Sequence, residues 1–446
     1  MRFQNLPNGW EIRKMPQVVK WGSGGTPKAT EKQYYDGGTI PWLIIGDLND
    51  GIVTSSASKI TKLGLQNSSA KMIPAGTLLV AMYGSIGKLG ITGIECCTNQ
   101  AIAYAKELFG VTTKYMFYYM ALMKSDLISM GKGGTQKNIS QTVLNSLDVV
   151  VPPLPEQERI VARIEELFSQ LDAGVETLKK TKAQLAVYRQ AVLKEAFEGR
   201  LTEEWRRGNG ISKQCFVQLS RKKRDSALAY RKMKPLKYEW KNDIFLPRIP
   251  QEWEYAQIGD IAWSIKDGPH YSPEYSEEGI PFITGGNVRP TGVDFQSAKR
   301  ISLELHKELC KRCCPEKGDM LYTKGGTTGI ARINTYDQEF SVWVHVAVIK
   351  YVDSVLPEYF QHVLNSPLCY QQSQKYTHGV GNQDLGLTRM INIIFPICSI
   401  EEQKQIVANL ESRLSVCDSI EKTVNAALQQ AEAMRQSILK AAFEGR

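Results

Sequence analysis

The chain has 446 residues, of which 42% are hydrophobic and 23% charged, and its formal net charge is +9. This length predicts at least two domains, and this composition is typical of a soluble globular protein rather than a disordered or fibrous one. With neither a secretory signal nor an apolar run of membrane-spanning length, and with nine scattered cysteines, the sequence favours a cytoplasmic protein over a secreted, disulfide-linked one.

Residues 1–151 predict a first α+β globule, in which residues 77–82 form a strand and residues 113–127 form a helix. Loops rich in glycine, amide and hydroxyl side chains interrupt these elements. They comprise residues 22–26, 84–88 and 132–138.

Residues 152–205 predict a long helix that begins near Pro155 and ends at Gly199. Apolar side chains recur every seventh residue over about five heptads, which is typical of a coiled coil. This seam comprises Ile164, Leu171, Leu178, Leu185 and Val192.

Residues 206–248 form a basic linker that is predicted to be partly helical. It holds thirteen Lys and Arg residues against Asp225, Glu239 and Asp243, so its charge is +10 and the rest of the chain carries −1. Such an excess suits a polyanion such as DNA. A solvated, charged helix explains the linker equally well.

Residues 249–396 predict a second globule, with a strand at 342–351 and a helix at 356–364. It repeats the plan of the first: Leu6-Pro7-Asn8-Gly9-Trp10 is similar to Ile249-Pro250-Gln251-Glu252-Trp253. Its corresponding loops are residues 267–272, 324–328 and 378–383.

Residues 397–446 predict a second long helix, with Leu410, Val424 and Ile438 on its seam. At an offset of 246 residues, 19 of the 45 positions from Glu156 to Arg200 are identical in this second copy. The chain is therefore an internal repeat of globule and helix. Similar helices are expected to meet the same partner or each other, whereas divergent globules are expected to bind different things.

The sequence contains no recognisable catalytic centre. Gly84 to Lys88 lacks the spacing of a phosphate-binding P-loop, and the Asn/Asp-Pro-Pro-aromatic signature of amino-methyltransferases is absent. His306, Cys310, Cys313 and Cys314 have a spacing that suits zinc, but the adjacent Cys313 and Cys314 would point in different directions. We expect reduced thiols there, with no metal and no catalytic residue in this chain.

The loops instead suit DNA, because glycine admits backbone amides to phosphate, lysine neutralises it, and amides and hydroxyls pair with base edges. Any one loop could be an ordinary turn, but three at corresponding places in both globules favour function. The candidate DNA-binding residues are Gly24, Gly25, Thr26, Ser85, Lys88, Lys132, Thr135, Gln136, Lys137, Asn138, His270, Tyr271, Ser272, Lys324, Thr327, Thr328, His378, Asn382 and Gln383.

The order of these motifs resembles the specificity subunits of Type I restriction-modification enzymes. The resemblance rests on Gly24-Gly25-Thr26-Pro27, Ile40-Pro41-Trp42, Gly133-Gly134-Thr135-Gln136 and Pro152-Pro153-Leu154-Pro155-Glu156-Gln157, and on Lys324-Gly325-Gly326-Thr327-Thr328-Gly329 in the second half. The family implies two target-recognition domains, each reading one half of a bipartite site through the major groove.

The resemblance also implies partners: double-stranded DNA, two modification (methyltransferase) subunits docked on the conserved helices, and restriction (translocase and nuclease) subunits. S-adenosylmethionine, ATP and Mg²⁺ would be used by those subunits, and the assembly would be a site-specific deoxyribonuclease and adenine-N6 DNA methyltransferase. The main alternative is a coiled-coil adaptor whose globules bind protein.

A pseudo-twofold relation between the halves favours antiparallel helices. Antiparallel helices place the globules at opposite ends, so that the globules reach separated half-sites. The expected architecture is therefore α+β, with two α/β-type globules joined by an antiparallel coiled coil. The helices would then act as a ruler that sets the unread spacer, since the major groove faces the same side every 34–36 Å or so.

Overall fold

A computed structural model describes residues 6–132, 137–210, 215–240, 243–379 and 383–446. The chain forms two compact units. Unit 1 comprises Met1–Lys180 and Val424–Arg446, and unit 2 comprises Thr181–Thr423. Each unit thus combines one globular region with segments of two long helices; we call residues 6–151 head 1 and residues 249–396 head 2.

Unit 1 begins with ten short strands and four short helices in its described part, followed by a long helix that continues into unit 2. The strands are β1 (Glu11–Lys14), β2 (Val19–Ser23), β3 (Ile40–Leu43), β4 (Gly51–Val53), β5 (Lys59–Ile60), β6 (Leu78–Ala81), β7 (Leu89–Thr92), β8 (Cys97–Thr98), β9 (Ile102–Leu108) and β10 (Asp148–Val151). The helices are α1 (Lys62–Gln66), α2 (Thr113–Leu122), α3 (Lys124–Met130), α4 (Gln141–Asn145) and the long α5 (Leu154–Phe197).

The strands of head 1 form three sheets. The largest has the order β2-β9-β6-β7-β4, in which only the β4–β7 pair is parallel. A second sheet has the order β5-β3-β8, and β1 pairs with β10. Buried side chains from alternate positions of β6 and β9, including Leu78, Val80 and Ala103, face the core that α2 closes.

After the end of α5, unit 2 continues with the linker helices and repeats this plan. The helices are α6 (Glu203–Asn209), α7 (Phe216–Tyr230), α8 (Ile258–Ile261), α9 (Leu303–Cys310), α10 (Pro357–Leu364), α11 (Pro367–Tyr376), α12 (Leu387–Met390) and α13 (Ile400–Phe443). The strands are β11 (Glu254–Gln257), β12 (Ala262–Asp267), β13 (Ile280–Ile283), β14 (Val288–Arg289), β15 (Gly292–Val293), β16 (Lys299–Ile301), β17 (Met320–Thr323), β18 (Ala331–Ile333), β19 (Ser341–Val342), β20 (Val346–Tyr351) and β21 (Ile394–Ile397).

Within the described residues, the sheets of head 2 match those of head 1 except that β4 adds a fifth strand to the largest sheet of head 1, whereas β14 and β15 form a separate pair in head 2. The order β12-β20-β17-β18 corresponds to β2-β9-β6-β7, the order β16-β13-β19 corresponds to β5-β3-β8, and β11–β21 corresponds to β1–β10. Even the irregularity in the first strand recurs, between Lys20 and Trp21 in head 1 and between Ala262 and Ser264 in head 2. The internal repeat inferred from the helices therefore extends through both heads.

Each head is completed by the last turn of the helix that follows the other head in the sequence. In unit 1, the ring of Phe443 is buried against Tyr115 and Tyr119, with centroid distances of 5.0 and 5.3 Å. In unit 2, the ring of Phe197 lies 5.4 Å from that of Tyr359. The repeated Ala-Phe-Glu-Gly-Arg segments are thus matching anchors.

The glycine of each anchor sits where a side chain would not fit. A Cβ on Gly199 would lie 2.4 Å from Cγ of Pro250, and a Cβ on Gly445 would lie 2.4 Å from Cγ of Pro7. Both glycines have a positive φ, of 79° and 73° respectively, which is the backbone conformation that ends many helices.

The long helices α5 and α13 lie where the sequence predicted them, each ending two residues before the predicted glycine, and an apolar stripe runs along both of them. Within unit 1, Asp172 of α5 forms an ion pair with Arg435 of α13, while Ile164 shares a core with Phe443. The two segments therefore run in opposite directions in this unit. The buried or half-buried seam residues are Ile164, Leu171, Leu178, Leu185 and Val192 on α5, and Leu410, Cys417, Val424, Ala431 and Ile438 on α13.

Unit 2 shows the same arrangement. Nη2 of Arg189 on α5 lies 2.7 Å from Oδ1 of Asp418 and 3.1 Å from Oε2 of Glu421 on α13. Farther along α5, Phe197 shares the core of head 2 with Leu410. Among the described residues, none of the helices has the length and apolar character needed to cross a membrane.

Candidate nucleic-acid interface

Two of the predicted loops of head 1 lie side by side where β6 ends. The backbone N–H of Ile139 donates to the carbonyl of Met82 (2.9 Å), and Lys132 and Asn138 exchange backbone hydrogen bonds of 3.0 and 2.8 Å. Asn138 also bridges to Tyr83. The tertiary fold thus brings the loop at 84–88 together with the described residues Lys132, Lys137 and Asn138 of the other loop.

This surface presents polar and basic side chains. Ser85, Lys132, Lys137 and Asn138 are exposed, while Lys88 is half-buried with its Nζ 3.3 Å from the carbonyl oxygen of Ile45. Thr135 and Gln136, two of the predicted contacts, lie outside the described residues. A cavity of about 730 Å³ opens here, lined by Asp50, Gly84, Ser85, Ile86, Lys88, Lys124, Ile128 and Lys137.

The third loop of head 1 corrects part of the prediction, because Gly24 and Gly25 are buried. A Cβ on Gly24 would lie 2.2 Å from the carbonyl oxygen of Thr98, and one on Gly25 would lie 2.3 Å from the backbone nitrogen of Ala70. Close packing of the chain, rather than access for phosphate, therefore requires glycine at both positions. Thr26 is exposed, and its hydroxyl bonds to Gln100.

Head 2 builds the same frame with other side chains. The backbone N–H of Leu385 donates to the carbonyl of Lys324 (2.7 Å), as Ile139 does to Met82 in head 1. His378 and Asp384 exchange backbone hydrogen bonds of 3.1 and 2.9 Å, as Lys132 and Asn138 do. Corresponding loops therefore meet at corresponding places in both heads.

Six of the candidate residues in head 2 are exposed on these loops, and they differ in chemistry from those of head 1. They are His270, Tyr271, Ser272, Thr327, His378 and Gln383. Asn382, another loop candidate, lies outside the described residues. The exposed set carries imidazole, phenol, hydroxyl and amide groups, all of which form hydrogen bonds with bases or phosphates.

Two predicted contacts in head 2 are instead buried. Lys324 is 2% exposed, and its Nζ lies 2.8 Å from Oδ1 of Asp384. Thr328 is 4% exposed, and its Oγ1 accepts a hydrogen bond from Nε2 of Gln374 (3.0 Å). Neither side chain faces solvent, so the prediction of direct contact with DNA is corrected to a structural role for both.

Residues that the sequence did not single out also border this surface. Nε1 of Trp343 donates to the carbonyl of Tyr271 (3.2 Å), and its ring lies 4.5 Å from that of His345. Burial, together with the charge of Lys324, lowers the pKa of His345 below its usual value. In the sequence, Trp343 and His345 were distinguished only as two aromatic residues just before a strand. The glycine and amide content by which the loops were chosen does not mark such residues.

The basic linker packs against head 2. Arg221 donates from Nε to Oδ1 of Asp260 (2.6 Å), and Nη1 of Arg224 donates to the carbonyl of Gly259 (2.5 Å). Lys223 pairs with Asp353 at 2.7 Å. Several linker charges thus meet carboxylates and carbonyls of the protein, which favours a charged helix packed on a domain over a free polyanion-binding arm.

The cysteine cluster holds no arrangement suited to a metal, and across the described residues no group of three or more His, Cys, Asp or Glu side chains is placed to hold one. Nδ1 of His306 lies 2.9 Å from Oγ of Ser341, and the sulfur atoms of Cys310 and Cys314 lie 2.8 Å apart as free thiols. Burial raises the pKa of Cys310 to about 12, so this thiol stays protonated at neutral pH.

Comparison with known proteins finds a family model that matches this chain. Residues 7–186 and 250–430 each match the family model described as "Type I restriction modification DNA specificity domain". The chain is 28% identical over 417 residues to the EcoBI specificity subunit of Escherichia coli, covering 89% of this chain and 80% of that one. It is 23% identical to the MjaIX specificity subunit of Methanocaldococcus jannaschii, covering 77% and 73%.

The fold also matches a solved structure. A chain from a structural study of complex assembly and conformational transition of the type I R-M system superposes with a TM-score of 0.67. The match covers 99% of each chain at 14% sequence identity. At that identity the likeness concerns the fold.

Proposed function

This chain belongs to the family of type I restriction modification DNA specificity domains, and we infer that it is the DNA-recognition subunit of a type I restriction-modification enzyme. Its relatives are named specificity subunits of Type I restriction enzymes, and this supports a role in selecting the DNA site rather than in carrying out the chemistry. We propose that head 1 and head 2 each read one half of a bipartite site.

The observation that carries this proposal is the contrast between backbone and side chains in the two heads. The same hydrogen bonds hold the loops of both heads, through Met82 and Ile139 in one and Lys324 and Leu385 in the other. The exposed side chains on those loops differ, however. One scaffold that presents two chemistries is what the reading of two unlike half-sites requires.

The exposed residues divide naturally between positioning and reading. Lys132 and Lys137 carry full positive charges that suit phosphate, which has no sequence information of its own. Asn138 and Gln383 carry amides, whose paired donor and acceptor match the major-groove edge of adenine. We therefore assign base reading to the amide positions and register on the duplex to the lysines.

We further propose that α5 and α13 form an antiparallel coiled coil that sets the spacer between the half-sites. The heptad seam, the opposed directions of the helix segments within each unit, and the ion pairs of Asp172 with Arg435 and of Arg189 with Asp418 support this. Seam residues exposed in part, such as Leu178, leave apolar surface for the modification subunits.

In this proposal the working domains are residues 1–151 and 249–396 for recognition, 152–205 and 397–446 for the conserved helices, and 206–248 for the linker. The partners are double-stranded DNA, two modification subunits and the restriction subunits. Those subunits, rather than this chain, would use S-adenosylmethionine, ATP and Mg²⁺. We expect the complex to act in the cytoplasm, where its DNA substrate lies.

Methylome sequencing of cells that express this chain with its modification subunit tests the proposal. We expect methylated adenines in a bipartite motif with a fixed spacer. A second strain, in which residues 1–150 come from another family member, should change one half of the motif and keep the other. A motif that is continuous, or that changes in both halves, would contradict the assignment of one half-site to each head.

The alternative, an adaptor whose heads bind protein, makes a different prediction for binding. A DNA reader assembled with its modification subunits loses affinity linearly as the logarithm of salt concentration rises, because it releases counterions from phosphate. An adaptor shows no such steep dependence. A titration of the complex against duplex DNA at several salt concentrations separates the two.

A further inference from the structure

Head 2 contains a buried lysine held between two carboxylates. The side chain of Lys324 is 3% exposed, and its Nζ lies 2.8 Å from Oδ1 of Asp384 and 3.4 Å from Oδ2 of Asp267. Asp267 is itself 2% exposed. Lysine is almost never buried unless it is paired, because removing an ammonium from water is costly.

The three charged residues come from three separate parts of the chain. Asp267 is the last residue of β12, Lys324 directly follows β17, and Asp384 follows the loop at 378–383. Each stands next to one of the three loops of head 2 that the sequence predicted to touch DNA. One ammonium group therefore joins all three loops beneath their exposed surface.

The main chain of Lys324 strengthens this junction. Its N–H donates to the carbonyl of His345 (2.9 Å), and its carbonyl accepts from the N–H of Leu385 (2.7 Å). Two arginines then hold the carboxylate segments from outside: Nη2 of Arg312 bonds Oδ1 of Asp267 at 2.7 Å, and Nη2 of Arg389 donates to the carbonyl of Asp384 at 2.8 Å.

Head 1 has the same backbone frame without the charges. Met82 occupies the place of Lys324, since its N–H donates to the carbonyl of Ala101 (2.8 Å) and its carbonyl accepts from Ile139 (2.9 Å). Asn138 occupies the place of Asp384. Because the apolar thioether of Met82 occupies this position in head 1, the fold does not require an ammonium group there.

We propose that Lys324 is a positioning residue that fixes the DNA-reading loops of head 2 through Asp267 and Asp384. A buried ion pair seldom stabilises a fold more than apolar packing does, but separating its partners leaves a buried charge unpaired, and this cost disfavours other arrangements of the segments that the pair joins. The inference rests on the proposed function, because it assigns Lys324 a role in half-site selectivity.

The test uses the full chain assembled with its modification subunits and the motif found by methylome sequencing. The variant Lys324→Met with Asp384→Asn reproduces the pair present in head 1, and Asp267 keeps its bond to Arg312. The matched control is Lys350→Met, since Nζ of Lys350 also bonds a carboxylate of head 2 (Asp319, 2.7 Å) but lies away from these loops.

Affinity is measured for the cognate duplex and for duplexes with one base changed in either half-site. We expect the double variant to lose about tenfold of its discrimination in the half-site read by head 2, with the other half-site unaffected. The control should retain discrimination in both. Hydrogen exchange should rise at the amide of Leu385 while the strands of head 2 stay protected.

A single Asp384→Asn variant guards against misfolding, because Lys324 keeps Asp267 and Asp384 is 43% exposed. This variant should also lose discrimination in the half-site read by head 2, by a smaller factor than the double variant. Unchanged discrimination in these variants, or an equal loss in the Lys350→Met control, would overturn the inference. If the wild-type complex discriminates in neither half-site, the proposed function itself fails.

Discussion

Nη1 of Arg206 lies 2.5 Å from Oε1 of Glu402, whose side chain is almost completely buried. The same carboxylate accepts from Oγ1 of Thr202 at 2.7 Å and from Nε1 of Trp253 at 2.8 Å. Three segments meet there: the residues just after α5, the start of head 2, and the first turn of α13. The junction therefore depends on the buried carboxylate of Glu402, whose partners Arg206, Thr202 and Trp253 are all groups of the protein.

Glu402→Ala should therefore destabilise unit 2 by about 3–5 kcal/mol, because a largely buried guanidinium keeps only the more distant Glu252 (3.7 Å) as a counter-ion, and Thr202 and Trp253 lose their acceptor. The matched change is Glu156→Ala at the corresponding position of unit 1. Glu156 pairs instead with Arg159, whose side chain is 75% exposed, so its loss should cost about 1 kcal/mol or less. Urea unfolding measures both, and equal costs would contradict the prediction.

Phe443→Ala and Phe197→Ala should each cost about 3–5 kcal/mol, since each ring fills a core that cannot close around the gap. The effects should be local: hydrogen exchange should rise in head 1 for the first variant and in head 2 for the second. Val187→Ala is the control, because Val187 is 71% exposed. Exchange that rises in the wrong head would show that the anchors are assigned incorrectly.

Lengthening both long helices should change the spacer and nothing else. Seven residues inserted after Lys180 and seven after Thr423 keep the heptad phase and add about 10 Å of helix. At about 34–36 Å for each turn of ten base pairs, the tolerated spacer should grow by roughly three base pairs. Methylome sequencing reports the result, and an altered half-site sequence would argue against the ruler.

The stability of unit 2 should fall between pH 6.5 and pH 4 because of His362. Burial, and then the nearby charge of Arg332, lowers the pKa of this imidazole from 6.5 to about 4. As the pH falls, the unfolded chain therefore binds a proton at this imidazole before the folded state does. The contribution of His362 to the stability of unit 2 is thus complete above pH 6.5 and is lost toward pH 4. The loss is at most about 3 kcal/mol.

Urea unfolding at a series of pH values checks this prediction. His362→Gln removes the titrating group and should flatten that part of the profile, whereas the same change at the exposed His378 serves as the control. An identical slope in wild type and His362→Gln would show that other groups cause the dependence.

The sequence predicted the helices well because their stabilising pattern is local and periodic. A seventh-residue repeat needs no knowledge of the partner, and Gly199 and Gly445 mark the ends through their own backbone preference. What periodicity could not reveal is that Phe197 and Phe443 belong to the core of the other repeat's head. Such contacts are set by tertiary packing between distant segments.

For the candidate interface, composition selected loops that the fold brings together, but it did not distinguish their exposed side chains from their buried ones. Gly24 looked like a phosphate-binding glycine, yet it is required by the approach of Thr98. Lys324 looked like a free cation, yet Asp267 lies beside it from 57 positions earlier in the chain. Burial and pairing depend on neighbours far away in the sequence, so residue type alone did not separate contact from support.

The place of Phe443 in the core of head 1 also bears on biosynthesis. Ribosomes add about 5–20 residues each second, so Tyr115 and Tyr119 emerge long before the ring that covers them. During that interval the nascent first head exposes an aromatic cleft. The corresponding ring in head 2 faces no such delay, because α5, which carries Phe197, is translated before that head. Chaperones on the growing polypeptide should therefore engage the first head longer than the second.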